Sequence, residues 1–210
     1  MKPKNILITA GPTKEYIDPV RFISNDSSGR MGYLLAEESK KQGAKVVLIS
    51  GPTGIKIPKN VKVVNVVSAE QMFGCVKKYF KKCDVFISCA AVSDYKPERF
   101  YRNKIRKTNK PINLKLIPNP DIVSTLAHSP TRPLAQPSFV VGFALETEDL
   151  IKKAQKKLKQ KKLDMIIANT IDSINSEKTT GAIITKNKIE TFTNITKKLL
   201  AKKIINKILL

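Results

Sequence analysis

Short runs of β-branched and other apolar residues alternate along the chain with longer stretches whose apolar residues recur every three or four positions. This alternation constrains the fold more than any other feature. The runs Asn5–Thr9, Lys45–Ser50, Val61–Val66, Asp84–Cys89, Phe139–Phe143 and Asp164–Asn169 read as strands buried on both faces. Between them, Gly32–Gln42, Ala69–Lys81 and Thr147–Lys161 carry the amphipathic spacing of crossover helices. The expected architecture is α/β, a doubly wound Rossmann-like parallel sheet. Towards the end, Ala182–Thr185 and Ile189–Thr193 flank a Lys-Asn-Lys turn and predict a hairpin, followed by a last amphipathic helix over Ile195–Leu209. One domain over residues 1–210 suits a chain of this length. The segment 97–120 breaks the alternation with prolines and charges, although Pro111–Ile117 alternates like an exposed strand. It predicts an excursion that serves as a flap or interface. An unpaired strand there also predicts a homodimer, in which two copies satisfy each other's edge.

The 39 Lys and Arg against 17 acidic residues give a formal charge of +22, compatible with nucleic acid, an anionic membrane or phosphorylated small molecules as partners. Only six of the cations are Arg, aromatics are sparse and Trp is absent, whereas nucleic-acid readers combine clustered Arg with aromatics. Most Lys alternate with apolar residues in Lys152–Lys162 and Lys197–Lys207 and read as solvated helix faces. Cys75, Cys83 and Cys89 lack a CxxC spacing and His128 is the lone histidine, which disfavours both a zinc site and a disulfide framework. Cys83 and Cys89 bracket an apolar run and are expected as buried structural thiols. No apolar stretch approaches the ~18 residues of a membrane span, and the start turns at once into a strand and a glycine turn. A soluble cytoplasmic protein is expected, with neither nucleic acid nor membrane as its partner.

In an open parallel sheet, ligands bind beyond the carboxyl ends of the strands. The small residues around Gly11 after the first strand allow backbone N–H groups to approach a ligand, or make only a tight turn. Next, Arg21–Gly32 runs into a helix. Asn25, Ser27, Ser28 and Gly29 at that helix start make a phosphate or carboxylate site, or ordinary caps. The fourth strand ends in Ser88, Cys89, Ala90 and Ala91, small residues on which a base or ribose could lie flat, with Asp94 able to accept from hydroxyls. Pro120, Asp121, Ile122 and Val123 open a helix, and Phe143 ends the fifth strand at the same edge. The dinucleotide GxGxxG, the Walker A pattern, a Tyr with Lys four residues later and GxSxG are all absent. A basic, metal-poor cleft for phosphorylated substrates remains. Its rivals are a nicotinamide-dependent reductase and a basic nucleic-acid-binding module.

The segments ITAGPTKEYIDPVRFISNDSSGRMG (Ile8–Gly32), AAVSDYKP (Ala90–Pro97), KIRK (Lys104–Lys107), NPDIV (Asn119–Val123), VVGFALET (Val140–Thr147) and LDMIIAN (Leu163–Asn169) resemble the phosphopantothenate–cysteine ligase family, in that family's order. The resemblance implies a bacterial-type ligase of coenzyme A biosynthesis that joins 4′-phosphopantothenate to cysteine through an acyl-cytidylate, using CTP with Mg²⁺. In many bacteria this ligase is the C-terminal half of a bifunctional protein. The chain looks like that half alone, so neither a decarboxylase domain nor a flavin is implied. By the resemblance, Asn25 holds the activated carbonyl, Arg21 assists from the preceding loop, Ala91 lies against the intermediate and Lys104 contacts the nucleotide phosphates. Ser88 to Ala90, Asp94, Pro120 to Val123, Phe143, Lys157 and Lys161 complete the nucleotide site. The same likeness implies a homodimer, with the segment around Arg106–Asn113 as flap or dimer contact. Metal ligands are not implied. Residues 171–181 lack the glycine–serine–aspartate loop common in relatives.

Overall fold

The computed structural model describes residues 4–127 and 139–209; His128 lies outside them. The chain forms β1 (Asn5–Ala10), β2 (Lys14–Tyr16), β3 (Phe22–Ser24), α1 (Arg30–Lys41), β4 (Lys45–Ser50), β5 (Lys62–Asn65), α2 (Ala69–Phe80), β6 (Val85–Ser88), β7 (Tyr95–Pro97) and β8 (Leu116–Pro118). Then follow α3 (Ile122–Ala127), β9 (Phe139–Glu146), α4 (Leu150–Gln160), β10 (Met165–Thr170), a 3-10 turn (Ile171–Ser173), β11 (Lys178–Thr185), β12 (Ile189–Thr196) and α5 (Lys197–Leu209).

The main sheet has eight strands in the order β12-β11-β10-β9-β6-β1-β4-β5. The six from β5 to β10 are parallel, and β11 and β12 add an antiparallel edge. Numbered among themselves, the parallel strands run 3-2-1-4-5-6, the Rossmann order, with the direction of winding reversing between β1 and β6. Alternate side chains of β1 feed two cores. Ile6 and Ile8 pack with Leu35 of α1 and Leu200 and Ile204 of α5, whereas Leu7 packs on the other face with Met72 and Val76 of α2 and Leu158 of α4. A capping box between Ser68 and Gln71 starts α2. The buried Glu15 accepts from Ala69 N at 2.8 Å and ties that helix start to β2.

Local expectations differ from the structure in three places. The last helix starts at Lys197 and not Ile195, because Ile195 and Thr196 pair with Thr179 and Lys178 and prolong β12. The β2–β3 hairpin lies inside a stretch that reads as loop. After β7 ends at Pro97, only Leu116–Pro118 of the excursion is strand, shorter than the expected Pro111–Ile117, and it pairs with β7 of the same chain. Residues 106–116 are exposed, so no buried face holds them extended, and Pro111 offers no N–H to a ladder.

Candidate functional site

A cleft of about 570 Å³ opens over the carboxyl ends of β1, β6, β9 and β10, at the switch point where such sheets bind ligands. Its floor is held by polar contacts between the first and fourth parallel strands. Thr9 Oγ1 accepts from Cys89 N and Ala90 N at 3.2 Å each, and Ala91 N donates to Gly11 O at 2.9 Å. The backbone after Ser88 is therefore drawn flat across the end of β1.

One wall is the start of α1. Asn25, Ser27, Ser28 and Gly29 line the cleft, and Asn25 Nδ2 donates to Ala91 O at 3.0 Å. An amide carries two N–H donors and an acceptor oxygen, so this bond leaves Asn25 further hydrogen-bonding capacity. Gly29 has φ +77°, and a side chain there would press on Gly11, whose Cα would lie 2.9 Å from its Cβ. Gly11 itself does not line the cleft; it supports the glycine that opens α1. Added to Gly32, a Cβ would come within 2.5 Å of Ala10 Cβ, so the absence of a side chain lets α1 sit against β1.

The opposite end is walled by Pro120, Asp121, Ile122 and Val123 together with Phe143, Lys157 and Lys161. Lys161 Nζ pairs with Asp121 Oδ2 at 2.8 Å, and Lys157 Nζ pairs with Glu146 Oε1 at 2.6 Å. Burial would raise the Asp121 pKa, but Lys161 and the Ser124 N–H outweigh it and hold the carboxyl below its usual range. Ser88, Cys89, Ala90, Ala91 and Asp94 lie along the middle. Burial pushes the Cys89 thiol up to about 12, with Lys197 opposing, so this position presents a neutral thiol. Cys83 is buried away from the site and donates to Phe80 O at 3.2 Å.

Besides Gly11, two predicted site residues, Arg21 and Lys104, stand outside the cleft lining. Arg21 Nη1 donates to Asp18 Oδ2 at 2.6 Å and to Ile105 O at 3.0 Å. Lys104, next to Ile105, is exposed. Both belong to one junction centred on Asp18, which is 0% exposed and also accepts from the N–H groups of Val20, Arg21 and Ile105. Its pKa falls to about 2: burial, which alone would raise it, is outweighed by those three N–H donors and the Arg21 charge. The junction ties the loop before β3 to the base of the excursion.

Sequence reasoning missed the far wall, where Asn169, Ser173, Asn175, Thr179 and Lys197 line the cleft. Ser173 Oγ and Thr179 Oγ1 lie 2.7 Å apart, Thr179 Oγ1 donates to Asn169 Oδ1, and Asn175 Nδ2 reaches Asp26 Oδ1 across the α1 entrance. Asn169, at the carboxyl end of β10, could have been found from the strand-end rule. Lys197 could not, because in sequence it is one lysine of a Lys-rich tail.

The profile of the family described as DNA/pantothenate metabolism flavoprotein C-terminal domain matches residues 1–210. The chain is 49% identical over 168 residues to the coenzyme A biosynthesis bifunctional protein CoaBC of Haemophilus influenzae, covering 80% of this chain and 41% of that protein. It is 39% identical over 207 residues to the CoaBC protein of Borreliella burgdorferi, covering 98% and 52%. The chain thus spans about two fifths to one half of the length of these relatives. A crystal structure of the C-terminal domain of a CoaBC protein superposes with a TM-score of 0.81 at 37% identity, covering 98% of this chain and 93% of that one. The chain belongs to the DNA/pantothenate metabolism flavoprotein C-terminal domain family.

Proposed function

We propose that residues 1–210 form one ligase domain that joins 4′-phosphopantothenate to L-cysteine in coenzyme A biosynthesis. Activation proceeds through an acyl-cytidylate and yields phosphopantothenoylcysteine, CMP and pyrophosphate. The observation that carries this reading is the division of one cleft. Its flat backbone floor after β6 lies between a wall bearing Lys157 and Lys161 and the start of α1 with Asn25. A nucleotide and an acyl substrate can meet end to end over Ala90 and Ala91.

In the first step the substrate carboxylate attacks the α-phosphorus of CTP, forming the anhydride bond as the bond to pyrophosphate breaks. Lys157 and Lys161 offer positive charge at the nucleotide end, and Lys104 adds another once the excursion folds over the phosphates. Phe143 and the small residues Ser88 to Ala90 give the nucleoside an apolar and backbone surface, and Asp94 accepts from its hydroxyls. In the second step the cysteine amine adds to the activated carbonyl. Asn25 donates to the developing oxyanion, and CMP leaves as the amide forms. Among the described residues, no three His, Cys, Asp or Glu side chains cluster as a metal site. Mg²⁺ would enter with CTP, held chiefly by phosphate oxygens and waters, and would supply charge neutralisation.

Among the described residues no helix is long and apolar enough to cross a membrane. A cytoplasmic setting belongs to the same proposal. The test is pyrophosphate release by the purified chain: it should require both phosphopantothenate and a nucleoside triphosphate, with CTP turned over faster than ATP at equal concentration. Release independent of phosphopantothenate would overturn the ligase reading, and equal use of ATP would overturn only the choice of CTP.

A further inference from the structure

We propose that Ser93 and Asn119 read the exocyclic amine of the cytosine base and so select CTP over UTP, a specificity that rests on the ligase reading above. Among the described residues, two buried side-chain oxygens lack a hydrogen-bond partner, Ser93 Oγ and Asn119 Oδ1. Both residues line the cleft. Ser93 follows the floor residues Ala90 and Ala91, and Asn119 directly precedes the wall that Pro120 opens. A buried polar atom without a partner is destabilising, and folded chains leave few of them unless they serve a purpose. Here two occur side by side.

The pair is held rigidly. Ser93 is 4% exposed, and its N–H donates to Oγ1 of the buried Thr13 at 3.0 Å. Asn119 N donates to Asp94 O at 2.7 Å, and Asn119 Nδ2 donates to Ser93 O at 2.9 Å. Turning the amide over would set its oxygen against the Ser93 carbonyl oxygen, so Oδ1 keeps its place as a pure acceptor.

A ligand group that completes the pair must bring a donor to Asn119 Oδ1 and also satisfy the Ser93 hydroxyl. An exocyclic amine does both, because it has two N–H groups to give to two oxygens. The ribose hydroxyls already have an acceptor in the exposed carboxylate of the next residue, Asp94. Uracil carries a carbonyl oxygen where cytosine carries the amine, and its lone pairs would face those of Asn119 Oδ1. At an atom withdrawn from solvent, water does not make good the lost bond, and this is how a buried hydrogen-bonding site rejects the wrong ligand.

Pyrophosphate release at saturating phosphopantothenate gives kcat/KM for CTP, UTP and 2′-deoxy-CTP in the wild-type chain, Ser93→Ala and Asn119→Ala. Wild type should prefer CTP to UTP, and either substitution should shrink that preference by about fivefold to a hundredfold, the loss falling on CTP. The ratio of CTP to 2′-deoxy-CTP should not move. Without nucleotide, Ser93→Ala should melt no lower than wild type, because its hydroxyl has no partner to lose. Four results would overturn the assignment: a wild type indifferent to the amine, an equal loss on CTP and UTP, a Ser93→Ala variant with the full preference, or one that melts lower. If the ratio to 2′-deoxy-CTP moves instead, the pair reads a ribose hydroxyl and the assignment to the base is wrong. Should Asn119→Ala not fold, Ser93→Ala decides alone. If the wild-type chain releases no pyrophosphate with any of the three nucleotides, the ligase reading has failed first.

Discussion

Asp18, between β2 and β3, and Asn25, between β3 and α1, each join their loop to a distant segment. Asp18 receives the N–H groups of Val20, Arg21 and Ile105 as well as the Arg21 guanidinium, so its charge holds the excursion to the body. Its pKa in the folded chain, about 2, lies below the ordinary 3.8. Its stabilising contribution is therefore present above the ordinary value and is lost as pH falls towards 2. Asp18→Asn should lower the thermal midpoint at neutral pH, and the gap to wild type should narrow in melts run at successively lower pH between about 5 and 2. A gap independent of pH would mean that the charge is not what matters. Asn25 already donates one N–H to Ala91 O, which fixes its amide beside the floor where the activated carbonyl is proposed to lie. Asn25→Asp should still form acyl-cytidylate but pass it to cysteine about 10²–10³ times more slowly, the usual loss of one oxyanion donor. Quenched reactions analysed by mass spectrometry should show the mixed anhydride accumulating. Normal amide formation would refute the role, and absence of any intermediate would move Asn25 to the first step.

Among the elements, the excursion between β7 and β8 carries the clearest mechanical consequence. Lys104 is exposed and adjoins Ile105, whose N–H and carbonyl are both engaged by the Asp18–Arg21 pair. For Lys104 to reach nucleotide phosphates, the segment must fold over the cleft about that anchored base. Lys104→Gln should therefore slow pyrophosphate release at saturating CTP by about tenfold to a hundredfold. That is less than for a fixed donor, because ordering the segment offsets part of the gain. A wild-type rate would leave Lys104 as a surface lysine. This element was also the hardest to read from sequence. The residues from Pro111 to Ile117 alternate as strands do, yet only Leu116–Pro118 pairs, because alternation produces a strand only where a partner ladder and a buried face exist. The parallel strands, by contrast, were legible to within one to three residues. Burial on both faces demands a continuous apolar run, and such a run has few other uses.

For the whole molecule, the exposed Tyr95, Phe100, Ile112, Leu114 and Leu116 gather on the strands and loops of the excursion. Apolar groups concentrated on one segment favour a homodimer formed through it. Sedimentation at micromolar concentration should give a dimer, and replacing Ile112 and Leu114 with Asp should shift it towards monomer. A wild-type chain that sediments only as monomer would dismiss the proposal. The sequence by itself determined the layered α/β class, the loops at the sheet's carboxyl edge and the family, because periodicity and contiguous motifs are local properties of the chain. Only the tertiary structure decided the rest. The Rossmann order brings β1 beside β6, so Thr9 can hold Cys89 and Ala90 from 80 and 81 residues away. Packing of α5 turns Lys197, one lysine among many, into a buried cation in the cleft, while Arg21 is drawn to Asp18 and the excursion. Burial and charge pairing depend on which distant segments meet, and no short stretch of sequence carries that information.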